Sequence, residues 1–167
     1  MPIVIDTTVL SNLAAVNRLD LLRLLGNALY LVSAVYEEIQ HGLEQGYTFL
    51  TNVDHALDAG LLQLVTIEGE TEWQRFRSMP NKLHRGEAMS LTIAVERGWL
   101  FLTDDRAARI HAGRQGLSYS GTLGLLRYAV QNEHITLEEG NSLLAGMISL
   151  VNYNAPVTDL RDLLAGG

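Results

Sequence analysis

Cysteine is absent from the 167 residues. Its absence excludes a disulfide framework, a thiolate metal site and a thiol nucleophile. No apolar run approaches the roughly 20 residues that a membrane-spanning helix needs. The opening, MPIVIDTTVL, has no basic segment and carries an early Asp, so it does not read as a signal peptide. A cytoplasmic location is the expectation. Internal repeats, linkers and low-complexity tracts are missing, and 47% hydrophobic residues suffice for one core. Residues 1–167 therefore read as a single domain. Neither G-x-x-x-x-G-K-[ST] nor G-x-G-x-x-G occurs, so nucleotide cradles lack support, and there is no G-x-S-x-G nucleophile turn. The histidines (His41, His55, His84, His111, His134) show no zinc spacing.

Positive charge is also scarce, with 12 basic against 19 acidic residues and a net charge of −7. Taken alone this argues against nucleic acid as a partner. The distribution argues otherwise. Eight of the basic residues lie between Arg75 and Arg114, beside only four acids: Glu87, Glu96, Asp104 and Asp105.

That segment contains the stretch around which the chain is organised, HRGEAMSLTIAVERGWLFLTDDRAAR (84–109). Gly86 to Arg97 has helical apolar spacing and stops at Gly98; Trp99 to Leu102 reads as a buried strand; Arg106 to Gly116 is helical again. A helix that turns tightly into a strand lies antiparallel to it. Glu87, on the first turn of the helix, is thus expected at the same edge as Asp104 and Asp105, where the strand ends.

Elsewhere, Pro2–Ile5 reads as a first strand, and Asp6-Thr7-Thr8 leads into a helix that Asp6 can cap. Arg18–Leu25 reads as a short amphipathic helix and Leu29–Val32 as a second strand. Ser33 is expected to cap a helix bearing Glu37 and Glu38, with Glu38 flanking its packed face. A helix starting at Thr51 or Asn52 precedes a third strand, Leu61–Ile67. Glu68–Pro80 is polar and reads as an excursion. A fifth strand is expected at Leu117–Tyr119. Helices follow from Thr122, where a cap or a phosphate site suits the exposed N–H groups, and from Thr136. The tail from Asn152 ends in a small amphipathic piece. Helices alternating with short apolar strands indicate a mostly parallel five-stranded sheet covered on both faces, a three-layer α/β/α sandwich. Sites in such sheets form at the carboxyl ends of the strands. Asp6, Glu38, Glu87, Asp104 and Asp105 all belong to that edge.

Carboxylates gathered without Cys or paired His suit Mg²⁺ or Mn²⁺. With one or two such ions they serve displacement at phosphorus. The neighbouring basic residues, Arg85, Arg106 and Arg109 first, are candidates for holding phosphates, with Thr7 and Thr122 as further substrate-binding candidates. The chemistry described is that of a metal-dependent phosphodiesterase, most simply a nuclease.

VIDTTVLSNL, Glu38 in EEIQHG, HRGEAMSLTIAVERG, FLTDDRAARIHAGRQGL and SGTLGLL, in this order, resemble the PIN-domain family. More narrowly they resemble its VapC-like branch, with GEA, DDRxAR and GTLG blocks. The resemblance covers nearly the whole chain. It implies Mg²⁺- or Mn²⁺-dependent endoribonuclease activity, often as the toxin of a toxin–antitoxin pair and often as a homodimer, with RNA and an antitoxin as partners. By motif it makes Asp6 the first acid, Glu38 the second, Glu87 the third (many relatives have Asp) and Asp105 the fourth, with Asp104 beside it. An inactive PIN-like protein-binding module and a structure-specific DNA nuclease are the alternatives.

Overall fold

The computed structural model describes residues 1–164, so the last three residues of the expected domain and tail lie outside the described residues. Five short strands, β1 (Ile3–Ile5), β2 (Leu29–Val32), β3 (Gln63–Val65), β4 (Leu100–Leu102) and β5 (Tyr119–Ser120), form one sheet. Their order is β3-β2-β1-β4-β5 and every pairing is parallel. Val4 lies between Tyr30 on one side and Phe101 on the other. A parallel sheet buried on both faces needs apolar residues at every position. The central strands supply them: Ile3, Val4, Ile5, Leu31, Val32, Phe101 and Leu102 are all buried.

The helices are α1 (Thr7–Ala15), α2 (Ser33–Glu44), α3 (Thr51–Asp58), α4 (Gly69–Ser78), α5 (Arg85–Arg97), α6 (Arg106–Arg114), α7 (Thr122–Gln131), α8 (Leu137–Val151) and α9 (Arg161–Leu164). The sheet carries helices on both faces, the expected three-layer sandwich. α5 packs on β1, β2 and β4 and touches α2, α4 and α6; α1 packs against α3, α7 and α8. Every residue of α5 from Gly86 to Ala94 is buried, polar ones included. Ser90 and Thr92 satisfy their hydroxyls inside the helix, donating to Gly86 O at 2.7 Å and Ala88 O at 2.9 Å. No helix among the described residues is long and apolar enough to cross a membrane.

Four local expectations change. Leu19–Leu25 winds as a 3-10 helix rather than an α-helix. Ser33 does not cap α2; Val32 occupies the cap position, and the serine hydroxyl lies 3.2 Å from Thr66 Oγ1. The polar excursion is α4, a helix with no buried residue. It is tied to α5 by Arg97, which donates from Nε and Nη2 to the two Glu72 oxygens at 2.8 and 3.0 Å, and by the Arg75–Glu96 pair. Of its side chains only Phe76 packs on the core, and a two-pronged guanidinium–carboxylate contact adds to that narrow apolar anchor. The last strand shifts to Tyr119–Ser120, because its partners across the ladder are Phe101 and Leu102.

Phe101 is the largest fully buried side chain and sits on a central strand. Phe101→Ala is expected to lower unfolding free energy by about 3–5 kcal/mol, read from urea melts.

Candidate functional site

Between β1 and β4 the strand order reverses direction, and a crevice opens outside the carboxyl ends of those two neighbours. Asp6 leaves β1 there, and Thr103, Asp104 and Asp105 leave β4. The two exits are tied by Asp6 N donating to Leu102 O at 3.0 Å.

Asp6 is 1% exposed. Its Oδ1 accepts from Thr8 N at 3.0 Å, Thr8 Oγ1 at 2.5 Å and Val9 N at 3.3 Å, so it caps α1 as its position suggests. Its Oδ2 accepts from the buried Thr103 hydroxyl. Both threonine hydroxyls are relays. Thr8 Oγ1 accepts from Asp104 N at 2.9 Å and Thr103 Oγ1 from Asp105 N at 3.1 Å. Each takes a backbone hydrogen from one of the paired aspartates and gives its own to Asp6. Burial nevertheless dominates and pushes the Asp6 carboxyl up to about 7, with the Asp104 charge adding to it and the hydrogen bonds opposing.

The paired aspartates part company. Asp104 has both oxygens engaged: Oδ1 accepts from Thr122 N at 2.8 Å, and Oδ2 from Asn12 Nδ2 at 2.8 Å and from the Thr122 hydroxyl. It fastens α7 to α1. Gly121 makes this possible, since a Cβ there would lie 2.3 Å from Asp104 Oδ1 and 2.8 Å from Thr103 O. Asp105 caps α6 through Oδ2, which accepts from Ala108 N at 2.8 Å, and its Oδ1 accepts no hydrogen bond from the described residues.

On the other flank, Glu38 accepts from Thr7 Oγ1 at 2.5 Å and from Gly86 N at 3.2 Å, which joins α2 to the start of α5. Gly86 lets the two helices meet; a Cβ on it would sit 2.5 Å from Glu38 Oε1. Glu87, 8% exposed, accepts from His84 N at 3.0 Å. Burial raises its carboxyl above the ordinary range, and the charges of Asp105 and Glu38 push the same way. Glu87 thus lies within electrostatic reach of both Asp105 and Glu38.

Among the described residues none of the five acids forms an ion pair; the pairs present use other carboxylates. The donor set is all hard oxygen with uncompensated charge, which suits a hard divalent cation. As they stand, however, no three acidic or histidine side chains among the described residues close on a common point as a ready cage. Each carboxylate has turned to a hydroxyl or amide donor instead.

Beside Asp104 and Asp105 lies a cleft of about 940 Å³, lined by Thr7, Thr8, Asn12, Arg106, Arg109, Tyr119 and Tyr153 among others. Of the candidate substrate contacts, Thr7, Arg106 and Arg109 face it. Arg85 and Thr122 are not among its lining residues: Arg85 pairs with the exposed Glu37 at 2.9 Å, and Thr122 is fully buried against Asp104. Of the free N–H groups at the start of α7, that of Thr122 is already taken by Asp104. Residues that sequence reasoning passed over are Thr8, Thr103, Asn12 and Tyr153. The two threonines adjoin the acids in Asp-Thr-Thr and Thr-Asp-Asp, a signal that was available; Asn12 and Tyr153 carry none.

A family model described as PIN domain (DUF3368) matches residues 2–157. The chain belongs to the PIN-domain family. No curated protein matches it significantly. Among solved structures, a PilT N-terminus domain protein, SSO1118, from the hyperthermophilic archaeon Sulfolobus solfataricus P2 shares 14% identity over 78% of this chain and 94% of its own, with a TM-score of 0.44. PIN domains are nucleases as a class, generally with divalent metals, so the acidic crevice of this PIN domain is its candidate active site.

Two outcomes follow from the geometry. Asp6 titrates near 3.8 when unfolded and near 7 when folded. Between those values the folded chain keeps a proton that the unfolded chain has lost, so stability falls as pH rises from about 4 to 7 and then levels. The fall attributable to Asp6 is on the order of 4 kcal/mol at most. Asp6→Asn should flatten it in urea melts run from pH 4 to 8. Gly121→Ala, which drives a methyl against Asp104 and a backbone carbonyl, should cost about 1–3 kcal/mol in the same assay.

Proposed function

We propose that this PIN domain is a Mg²⁺- or Mn²⁺-dependent endoribonuclease, working as the toxin of a toxin–antitoxin pair. The observation that carries the nuclease reading is a set of carboxylates that form no ion pair among the described residues, at the reversal of the sheet, beside a cleft bearing Arg106 and Arg109. The VapC-like GEA, DDRxAR and GTLG blocks support the toxin role, a homodimer and an antitoxin partner.

In this reading Asp6, Glu38, Glu87 and Asp105 hold the cation, while Asp104 braces α7 against α1. Asp105 is preferred over Asp104 as the inner acid because its Oδ1 accepts no hydrogen bond from the described residues, whereas both Asp104 oxygens are engaged. When bound, Mg²⁺ or Mn²⁺ supplies the positive charge that displacement at a phosphodiester needs. Asp6 would hold the cation as its carboxylate, the form that burial disfavours, so cation affinity would rise with pH. The Thr7 hydroxyl holds Glu38 in place. Arg106 and Arg109 bind the phosphate on the cleft side. A PIN-like protein-binding module without catalysis is the second reading, favoured by the hydrogen bonds that every one of the five carboxylates already accepts from the protein.

Purified protein is incubated with mixed RNA and with single-stranded DNA, in Mg²⁺, Mn²⁺ or EDTA, alongside Asp6→Asn. The expected result is RNA cleavage that needs the metal and falls at least about 100-fold in the variant. Divalent cation should also raise the melting temperature of wild type more than that of Asp6→Asn. Cleavage of DNA alone would move the assignment to a DNA nuclease. A wild type that is folded, cuts nothing and does not respond to cation would leave the binding module.

A further inference from the structure

On one side the sheet ends at β5, which pairs with β4 and with no other strand among the described residues. Ser118 O accepts from Phe101 N at 3.1 Å and Ser120 O from Thr103 N at 2.9 Å. Successive strand residues turn their backbone groups to opposite sides. The N–H and C=O of Tyr119 therefore face outward, and no described residue bonds to either. Such edges are usually blunted by charge, proline or a bulge. Residues 117–120, Leu-Ser-Tyr-Ser, carry no charge and no proline, so shortness alone guards this edge.

The two faces beside the edge differ. Leu102 and Ser120 share a register row, and their side chains lie on the face opposite Tyr119. There a cavity of about 180 Å³ opens between the sheet and α7, walled by Leu25, Leu100, Leu102, Leu125 and Tyr128. An apolar cavity of about 150 Å³ accepts a benzene ring, so this one has room for a single Leu or Phe side chain. On the face of Tyr119 stands Arg109, its guanidinium 5.0 Å from the centre of the ring. Arg109 donates from Nη1 to Thr103 O at 2.9 Å and forms no ion pair among the described residues. The rest of its donor fork is available to a carboxylate.

A strand laid along β5 alternates its side chains between these two environments. The residue beside Tyr119 reaches Arg109, and the residues before and after it turn to the cavity. We propose that the free edge of β5 is a docking site for an extended segment of another protein, in which a carboxylate beside Tyr119 pairs with Arg109 and an adjoining Leu or Phe fills the cavity. Main-chain bonds to Tyr119 supply affinity, and the two side-chain environments supply sequence preference. A second copy of this chain is a poor match. Paired about a two-fold axis at Tyr119, it brings only Ser118 and Ser120 to the cavity and a second Arg109 toward the first. The docking needs neither metal nor nucleic acid, so it stands apart from the nuclease reading.

The probe is the peptide acetyl-Thr-Thr-Leu-Glu-Leu-Thr-Thr-amide, titrated into the ¹⁵N-labelled chain. Saturable shifts should centre on the Tyr119 and Ser120 amides, and hydrogen exchange at the Tyr119 N–H should slow at least about ten-fold. Three further peptides divide the contributions. Ala for both Leu should weaken binding about ten-fold, and Lys for Glu by a similar factor. N-methylation of the three central amides should abolish binding whichever way the strand runs. In Arg109→Gln the preference for Glu over Lys should vanish. Tyr119→Pro, which deletes the outward N–H, should bind at least about five-fold more weakly than Tyr119→Thr, which keeps it. Thermal melts establish that each variant is folded, and the N-methylated peptide decides the backbone question on wild type if Tyr119→Pro is not. No saturable shifts, shifts centred elsewhere, or equal binding of the N-methylated peptide would each overturn the proposal. Slowed Tyr119 exchange that grows with protein concentration in the absence of peptide would give the edge to a second copy and overturn it as well.

Discussion

A carboxylate taken out of water without a cation beside it is the constraint on which this molecule turns. Asp6 is buried at the junction of β1 and β4, and among the described residues it forms no ion pair. Left bare, such a group is among the least favourable things a fold can contain. Here it is surrounded by donors. Two threonine hydroxyls and two backbone N–H groups converge on it, and the hydroxyls in turn take the backbone hydrogens of Asp104 and Asp105. The network joins the exit of β1, the exit of β4 and the start of α1 into one rigid piece. Even so the carboxyl remains drawn toward its neutral form.

The remaining acids are arranged around that piece by different means. Glu38 and Glu87 come from helices whose first turns or flanks reach the sheet edge, and Gly86 allows α2 and α5 to touch. Asp104 and Asp105 are neighbours in sequence but face opposite tasks. One fastens a helix start with both oxygens; the other caps a helix with a single oxygen. A PIN domain thus keeps its acids in place with the same hydrogen bonds that close its helix ends, which makes the site inseparable from the local architecture.

Much of this was legible along the chain. Alternating apolar runs and helical spacing located the central strands, because β1, β2 and β4 are largely buried on both faces, whereas the edge strands β3 and β5 carry exposed and polar positions and run between other bounds than expected. Asp6, Asp104 and Asp105 could be placed at one edge because each immediately follows a strand. Glu87 could be placed there because a helix and the strand after it reverse direction. The helix at Gly69–Ser78 was not legible, since Phe76 alone of its residues packs on the core and Glu72–Arg97 and Arg75–Glu96 supply the rest of its anchorage. The 3-10 winding of Leu19–Leu25 was missed as well, because its apolar residues satisfy either period over so short a span.

What the amino-acid order determined by itself was therefore local: the succession of elements, the caps at Asp6 and Thr136, and the acids at strand exits. Neighbouring residues along the chain decide these through short-range hydrogen bonding and periodic burial. What only the tertiary structure decided was long-range. Asp104 turned from the crevice because Asn12 and Thr122 stand ready to receive it. Arg85 went to Glu37 and not to the cleft, and Tyr153 joined the cleft lining from the far end of the chain. Such choices depend on which surfaces meet when the sheet is covered, and no window of sequence contains both partners.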